Sequence, residues 1–186
     1  MKTIFSAIRL TLISMVLFAV IYPLIITGFA QFAPNKGKGE TVSINGKTVG
    51  YKLLGQSFTE DKYFWSRPSA VGNNAAGSAG SNKSPSNADY LATVQTRIDT
   101  FMVHNPQVSK SAITAEMVTA SGSGLDPDIS PASAIIQVKR IAAARHINED
   151  KILALIESNT KQPLLGLFGP DAVNVLALNV GLDELK

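Results

Sequence analysis

The chain has 186 residues, a length that suits one domain of ordinary size together with a membrane segment. It contains no cysteine, which excludes disulfides, thiolate metal sites and cysteine nucleophiles. Lys and Arg number 17 against 14 Asp and Glu, and Lys2 and Arg9 supply two of the positive charges near the N-terminus. The remainder is nearly neutral and has no basic run, so we exclude nucleic acid as a partner.

Residues 1–30 predict a transmembrane helix. No charged residue occurs from Leu10 to Ala30, and a helix of this length spans about 31 Å, close to the thickness of a bilayer's hydrocarbon core. Pro23 predicts a kink, because its ring removes one backbone hydrogen bond. The alternative is a cleaved signal peptide with a cleavage site at residues 28–30. It is less favoured because the apolar region of a signal peptide is shorter.

Charge alone does not orient this helix, because Lys2 and Arg9 flank one end and Lys36 and Lys38 flank the other. A very short N-terminal tail before a long domain favours a cytoplasmic N-terminus. We therefore expect residues 41–186 to form a soluble domain on the extracytoplasmic, periplasmic face, joined to the helix by a polar linker at 31–40.

An α+β fold with a β-hairpin and about three helices is predicted for this domain. Asn45-Gly46 between two short β-prone runs predicts a hairpin with a type I′ turn, whose second strand continues to Leu54. A first helix is predicted to begin near residues 85–87 and to end at Pro106. Its apolar stripe follows a helical period and consists of Leu91, Val94, Ile98 and Phe101.

Two further helices are predicted from their capping residues. Ser130 can cap the second helix with Pro131 in its first turn, and Asn148 can cap the third, which Pro163 stops. The residues expected to face inward are Ile135, Val138 and Ile141 or Ala142 in the second helix, and Ile152, Leu155 and Ile156 in the third. The apolar run at 173–178 is a buried strand or a helix turn, since its length does not decide.

Two stretches imitate known motifs. Residues 48–52 are one residue short of a potassium-filter signature, but a filter needs four such loops between membrane helices, so an ordinary strand is favoured. Residues 77–84 resemble a phosphate-binding loop, and Lys83 and Ser84 are weak candidates for nucleotide binding. Asn82 replaces the second glycine and no clear strand precedes the loop, so a flexible surface loop is favoured.

Residues 119–131 combine two glycines, two aspartates and two prolines immediately before the second helix. Two interpretations are equally favoured. The segment is either a docking loop or anion site, or a tight turn that sets the entry angle of the helix. Asp126 and Asp128 are too few for a hard-cation site. A membrane-tethered periplasmic hydrolase that uses this loop is the alternative function, although no Gly-x-Ser-x-Gly elbow follows a strand.

Residues 63–68 contain the single tryptophan, Trp65, close to Arg67. These two residue types are favoured as interface anchors, but a tryptophan buried in the core is an equally favoured interpretation. His104 and His146 have no partner at the spacing of metal ligands, so no metal site is predicted.

Several long stretches resemble a single family. These stretches are residues 63–70 (Tyr-Phe-Trp-Ser-Arg-Pro-Ser-Ala), Ser81-Asn82 with Pro85-Ser86-Asn87, residues 118–131, Gln137-Val138, Ala144-Arg145 and residues 173–176. In their order and spacing they resemble the C subunit of the bacterial Kdp potassium-transporting ATPase, and the resemblance covers nearly the whole chain. Lys83 departs from the family pattern, which favours an apolar residue at that position.

The resemblance implies an accessory, non-catalytic subunit of a high-affinity, ATP-driven potassium importer in the bacterial inner membrane. The implied partners are a channel-like potassium-translocating subunit and a P-type ATPase subunit. The family's C subunit is described as a catalytic chaperone that raises the ATPase subunit's affinity for ATP through a transient ternary complex. No tightly bound cofactor is therefore expected, and ATP would be met only within that complex.

We expect the domain to dock on the channel-like subunit through the 63–70 and 119–131 segments. The candidate docking residues are Trp65, Arg67, Ser121, Gly122, Ser123, Gly124, Asp126 and Asp128. A domain outside the cytoplasm does not reach cytoplasmic ATP, so any effect on ATP affinity would run through the helix or through subunit conformation.

Overall fold

The computed structural model describes residues 2–44 and 46–185 and divides between Thr41 and Val42 into two compact units. Asn45 lies outside the described residues, and with it the predicted type I′ turn. Its neighbour Gly46 has a φ of +78°.

The first unit is dominated by one apolar helix, Lys2–Ala30, which is long enough to cross a membrane. It comprises α1 (Lys2–Val16), a π-helical segment (Leu17–Ile21) and α2 (Tyr22–Ala30). The irregular turn lies immediately before Pro23, whose ring would collide with the carbonyl four residues earlier in a regular α-helix. The disturbance predicted at Pro23 therefore takes the form of a wider turn.

The strands of the second unit form two small sheets. Strands β1 (Thr41–Ile44) and β2 (Lys47–Tyr51) pair with each other, and β3 (Asp128–Ile129), β5 (Ala172–Asn174) and β4 (Thr160–Lys161) form an antiparallel sheet in that order. The predicted continuation of β2 to Leu54 is wrong. The chain turns after Tyr51, and the N–H of Gly55 donates instead to the carbonyl of Leu125 at 2.7 Å.

Five α-helices occur in the described part of this unit, two more than the approximate count predicted. They are α3 (Ala88–His104), α4 (Pro131–Ile135), α5 (Val138–Arg145), α6 (Glu149–Asn159) and α7 (Val175–Glu184). The caps predicted at Ser130 and Asn148 are confirmed, since each side chain accepts a hydrogen bond from a first-turn N–H, and the structure shows that Asn87 caps α3 in the same way. The mixture of helices and small sheets confirms the α+β class.

The predicted second helix is divided, and this changes which residues face inward. It breaks at Ile136 and Gln137, where the N–H of Gln137 bonds to the carbonyl three residues back, and Ile135 is half exposed rather than inward. The prediction for Leu91 is also wrong, because on α3 the contacts with the core begin only at Val94. The run at 173–178 is both a strand and a helix, since β5 passes directly into α7.

A single core joins the three-stranded sheet to the helices. Phe64, from the irregular segment before α3, is completely buried at its centre. The other large, fully or nearly fully buried apolar side chains are Phe101, Ile129, Ile141, Ile152, Val173, Leu178 and Leu182. The segment that contains Phe64 is thus part of the domain's interior, and it carries the candidate docking residues with it.

Candidate docking site formed by the 63–70 and 119–131 segments

The two segments that the sequence singled out lie against each other. Arg67 Nη1 and Asp126 Oδ2 form an ion pair at 2.8 Å. The N–H of Ser121 donates to the carbonyl of Pro68 at 3.1 Å, and Ser69 Oγ donates to the carbonyl of Gly124 at 2.7 Å. Residues far apart in sequence are therefore brought into one surface, as the docking hypothesis requires.

Buried amide side chains hold residues 64 and 65 in place. Asn179 accepts from the N–H of Phe64 at 2.8 Å and donates to its carbonyl at 3.0 Å. Gln137 accepts from the N–H of Trp65 at 2.8 Å and donates to its carbonyl at 3.3 Å. These side chains supply the pairing that a neighbouring strand would otherwise give, because buried backbone groups need partners.

A buried arginine completes this support from α5. Arg140 donates to the carbonyl of Tyr63 at 3.0 Å and to the side chains of Asn105 at 3.1 Å and Gln137 at 2.8 Å, and also to the carbonyl of Asp61. Burial lowers the pKa of Arg140 to about 10, against the opposing effect of the Asp61 carboxylate. The guanidinium therefore remains charged at neutral pH and needs this set of acceptors.

Trp65 is partly buried and has polar and aromatic neighbours on several sides. Its ring lies 4.5 Å from the Arg140 guanidinium and 4.9 Å from the ring of His104, and it meets Phe101 edge-on at 6.3 Å. Trp65 also lines a groove of about 370 Å³ together with Arg67 and His104. Trp65 thus packs against the core and also reaches an accessible surface.

The 119–131 loop is tightly held except at its tip. Ser121 is buried, and Gly124 has a φ of +68° with no room for a side chain, since a Cβ there would lie 2.8 Å from the carbonyl of Ala79. Asp128 accepts from Asn174 Nδ2 at 3.1 Å. Gly122 and Ser123 are exposed, and a Cβ at Gly122 would meet nothing within 4 Å. The part of the loop that is open to a partner is therefore the pair 122–123.

A carboxylate that the sequence analysis missed fastens the end of this loop. Glu116 Oε1 accepts hydrogen bonds from the N–H of Ser130 at 2.9 Å and from the hydroxyls of Ser130 and Ser133. Burial by itself would raise the pKa of Glu116, but the hydrogen bonds from both serines, with the charge of Arg67, outweigh it and lower the pKa. The spacing of Ser130 and Ser133 is a sequence signal for the start of the helix. No local pattern indicates that Glu116 binds both serines, because that contact depends on the fold.

The phosphate-loop candidates, Lys83 and Ser84, lie in an irregular segment outside the 63–70 and 119–131 segments. Ser84 Oγ bonds to Ser86 Oγ at 2.8 Å, Lys83 is exposed, and α3 begins only at Ala88. The backbone around Gly80 packs instead against the 119–131 loop, since a Cβ on Gly80 would lie 2.9 Å from the carbonyl of Gly122. Within residues 2–44 and 46–185, no three His, Asp or Glu side chains gather as a metal site.

Comparison with known proteins identifies the family. A family model described as the c chain of the K⁺-transporting ATPase, KdpC, matches residues 4–184. The chain belongs to the KdpC family. It is 62% identical to the potassium-transporting ATPase KdpC subunit of Flavobacterium psychrophilum and 60% identical to that of Flavobacterium johnsoniae, in each case over the full length of both chains. Identity to the KdpC subunit of Caulobacter vibrioides is 47%, over 96% of this chain and 93% of that one.

Membership in the KdpC family confirms the resemblance seen in the sequence. It places the chain in potassium transport, as a subunit of a complex with other Kdp subunits. The helix Lys2–Ala30 is consistent with a KdpC subunit that crosses the membrane once.

Proposed function

We propose that this chain is the accessory, non-catalytic subunit of a high-affinity, ATP-driven potassium importer. It stabilises the complex and acts as a catalytic chaperone that raises the ATPase subunit's affinity for ATP. The observation that carries the non-catalytic role is the use of the acidic loop residues. Asp126 is paired with Arg67 and Asp128 with Asn174, so both carboxylates support the fold of the loop that a hydrolase would use.

The docking surface is the exposed tip at 122–123 with the adjoining groove beside Trp65. The hydrogen bonds from Ser69 to the carbonyl of Gly124 and from Arg67 to the carboxylate of Asp126 hold the loop in one conformation before it meets a partner. A loop ordered in advance loses little further conformational entropy on binding, which favours tight association. The partners in this proposal are the channel-like potassium-translocating subunit and the P-type ATPase subunit.

Gly122→Arg tests this surface without disturbing the fold, because position 122 has open space and needs no positive φ. We expect the variant chain to accumulate normally in the membrane but to lose co-purification with the two larger subunits. Ala92→Arg, on the exposed side of α3, is the matched control and should co-purify as the parent chain does. Normal co-purification and potassium-stimulated ATPase activity of Gly122→Arg would refute docking through the loop tip.

The proposed topology has a cytoplasmic N-terminus and a periplasmic domain. The chain has no cysteine, so a single cysteine introduced at the exposed position Ala143 would report its own side of the membrane. A membrane-impermeant maleimide should label this variant in intact spheroplasts. Labelling only after the cells are lysed would place the domain in the cytoplasm and contradict the proposal.

Coupling to ATP then runs through the membrane helix and the conformation of the partner subunits. The small and polar positions of the helix, Ser14, Ala19, Thr27 and Gly28, allow close packing against other spans. We expect that a complex lacking this chain needs a higher ATP concentration for half-maximal hydrolysis than the complete complex does. Photolabelling of this chain by a reactive ATP analogue, lost in Lys83→Ala, would instead indicate direct contact through residues 83–84.

A further inference from the structure

A short apolar hairpin protrudes from the second unit. We call residues 164–168, Leu-Leu-Gly-Leu-Phe, the 164–168 tip. Leu164 and Phe168 pair across it as an isolated antiparallel bridge. Its four large apolar side chains are 70%, 81%, 80% and 65% exposed in chain order. Such a contiguous exposed apolar group marks a contact surface, because isolated exposed residues are common but clusters are not.

Most backbone N–H groups of the tip are bonded within the hairpin. The N–H groups of Leu164 and Phe168 each donate to the other residue's carbonyl at 3.1 Å. The N–H of Gly166 donates to the carbonyl of Pro163 at 2.9 Å, and that of Leu167 to the carbonyl of Leu164 at 3.2 Å. Backbone groups that enter lipid must find their hydrogen bonds inside the protein, and four of the five N–H groups here already do.

The composition of the tip points in the same direction. Residues 162–170 contain no charged side chain, and the tip itself has no side-chain hydrogen-bonding group. Leu165 has a φ of +56°, in the left-handed region where glycine or asparagine is favoured. An apolar side chain is therefore present at the apex although the backbone there would be more easily formed by another residue.

The chain's own membrane helix supplies a bilayer within reach. Only ten residues separate the end of α2 at Ala30 from the start of β1 at Thr41, and a fully extended segment of that length spans about 33 Å. A tether of this length limits how far the domain can move from the membrane surface. We propose that the 164–168 tip inserts into the lipid interface, giving the domain a second membrane contact in addition to the helix. This inference does not depend on the proposed role in ATP affinity.

Fluorescence quenching by lipid tests the insertion, using the full chain in phosphatidylcholine–phosphatidylglycerol vesicles. Because the chain has no cysteine, Leu167→Cys can carry a single environment-sensitive fluorophore. We expect blue-shifted emission and loss of most of the fluorescence when the vesicles contain lipids brominated on the acyl chain. Val103→Cys, 76% exposed on α3, is the matched control and should show water-like emission and little quenching.

A second pair of variants separates lipid contact from local misfolding. Leu165→Asp with Phe168→Asp should remove the quenching of the label at position 167, while Leu53→Asp with Leu91→Asp should leave it unchanged. Equal quenching at positions 167 and 103, or none at either, would overturn the proposal. Shielding of position 167 only after reconstitution with the partner subunits would also overturn it, because the tip would then be a protein contact.

Discussion

The 63–70 segment and the 164–168 tip use their side chains in opposite ways. The first is rich in polar and aromatic residues, and several of them make contacts within the domain. Phe64 is fully buried, Trp65 packs against Arg140, and Arg67 is paired with Asp126. The second consists of apolar residues whose side chains remain largely exposed.

The difference teaches that a distinctive motif does not by itself identify an exposed site. Tyr-Phe-Trp-Ser-Arg-Pro looks like a recognition sequence, yet its backbone is paired inside the domain with the side-chain amides of Gln137 and Asn179, which take the place of a neighbouring strand. The Leu and Phe residues of the tip look like core, yet most of the surface of their side chains is exposed. Four variants test how far this contrast extends, from the largest expected effect to the smallest.

Arg140→Met should have the largest effect on stability. It removes a buried charge and leaves several acceptors without a donor, among them the carbonyl of Tyr63 and the side chain of Asn105. Each buried acceptor left without a donor costs about 1–3 kcal/mol, and several are affected, so we expect the free energy of unfolding to fall by at least about 3 kcal/mol. Urea denaturation of the full chain in detergent measures it. A loss similar to that of a surface variant such as Lys139→Met would mean that the 63–70 segment is held by apolar packing alone.

Gly124→Ala should lower the free energy of unfolding by about 1–3 kcal/mol, because position 124 has a left-handed backbone and a Cβ would contact neighbouring atoms. Gly122→Ala, two residues away in open space, is the matched control and should change stability by no more than about 0.5 kcal/mol. The same denaturation measurement compares them. Equal effects would show that the loop is less tightly fastened than its hydrogen bonds indicate.

Glu116→Gln should change the pH dependence of stability. The pKa of Glu116 lies below its ordinary value of 4.5 in the folded chain, so the carboxylate stabilises the fold above that pH, and this contribution is lost as the pH falls through the folded-state pKa. At neutral pH the variant should lose about 1–2 kcal/mol. The difference from the parent should shrink in acid, which urea midpoints at neutral and acidic pH would measure. A constant difference across that range would contradict the assigned role of the charge.

Leu165→Ser with Phe168→Ser should have the smallest effect on folding, within about 0.5 kcal/mol, because neither side chain is buried. Denaturation of the detergent-solubilised full chain measures it. A large loss of stability would mean that the tip packs on the domain in solution, and the contrast between the two regions would disappear.

Local signals predicted the helix starts well, and non-local contacts explain the failures. Ser130 and Asn148 cap their helices as expected, because a cap needs only residues within the same turn. The break at Gln137 was not predictable, since its side chain bonds to Trp65, 72 residues earlier. The two segments named in the docking hypothesis lie together in the fold, but which of their residues remain exposed depends on contacts with residues such as Asn174 and Ser69.

The sequence by itself determined the family, the apolar N-terminal helix, the α+β class and the starts of α3, α4 and α6. These features depend on composition, short-range periodicity and long runs of distinctive residues. Only the tertiary structure decided that Arg67 pairs with Asp126, that Glu116 serves the N-terminus of α4, and that the 164–168 tip is left uncovered. The physical reason is that burial and pairing of a side chain are set by neighbours distant in sequence, which no local pattern specifies.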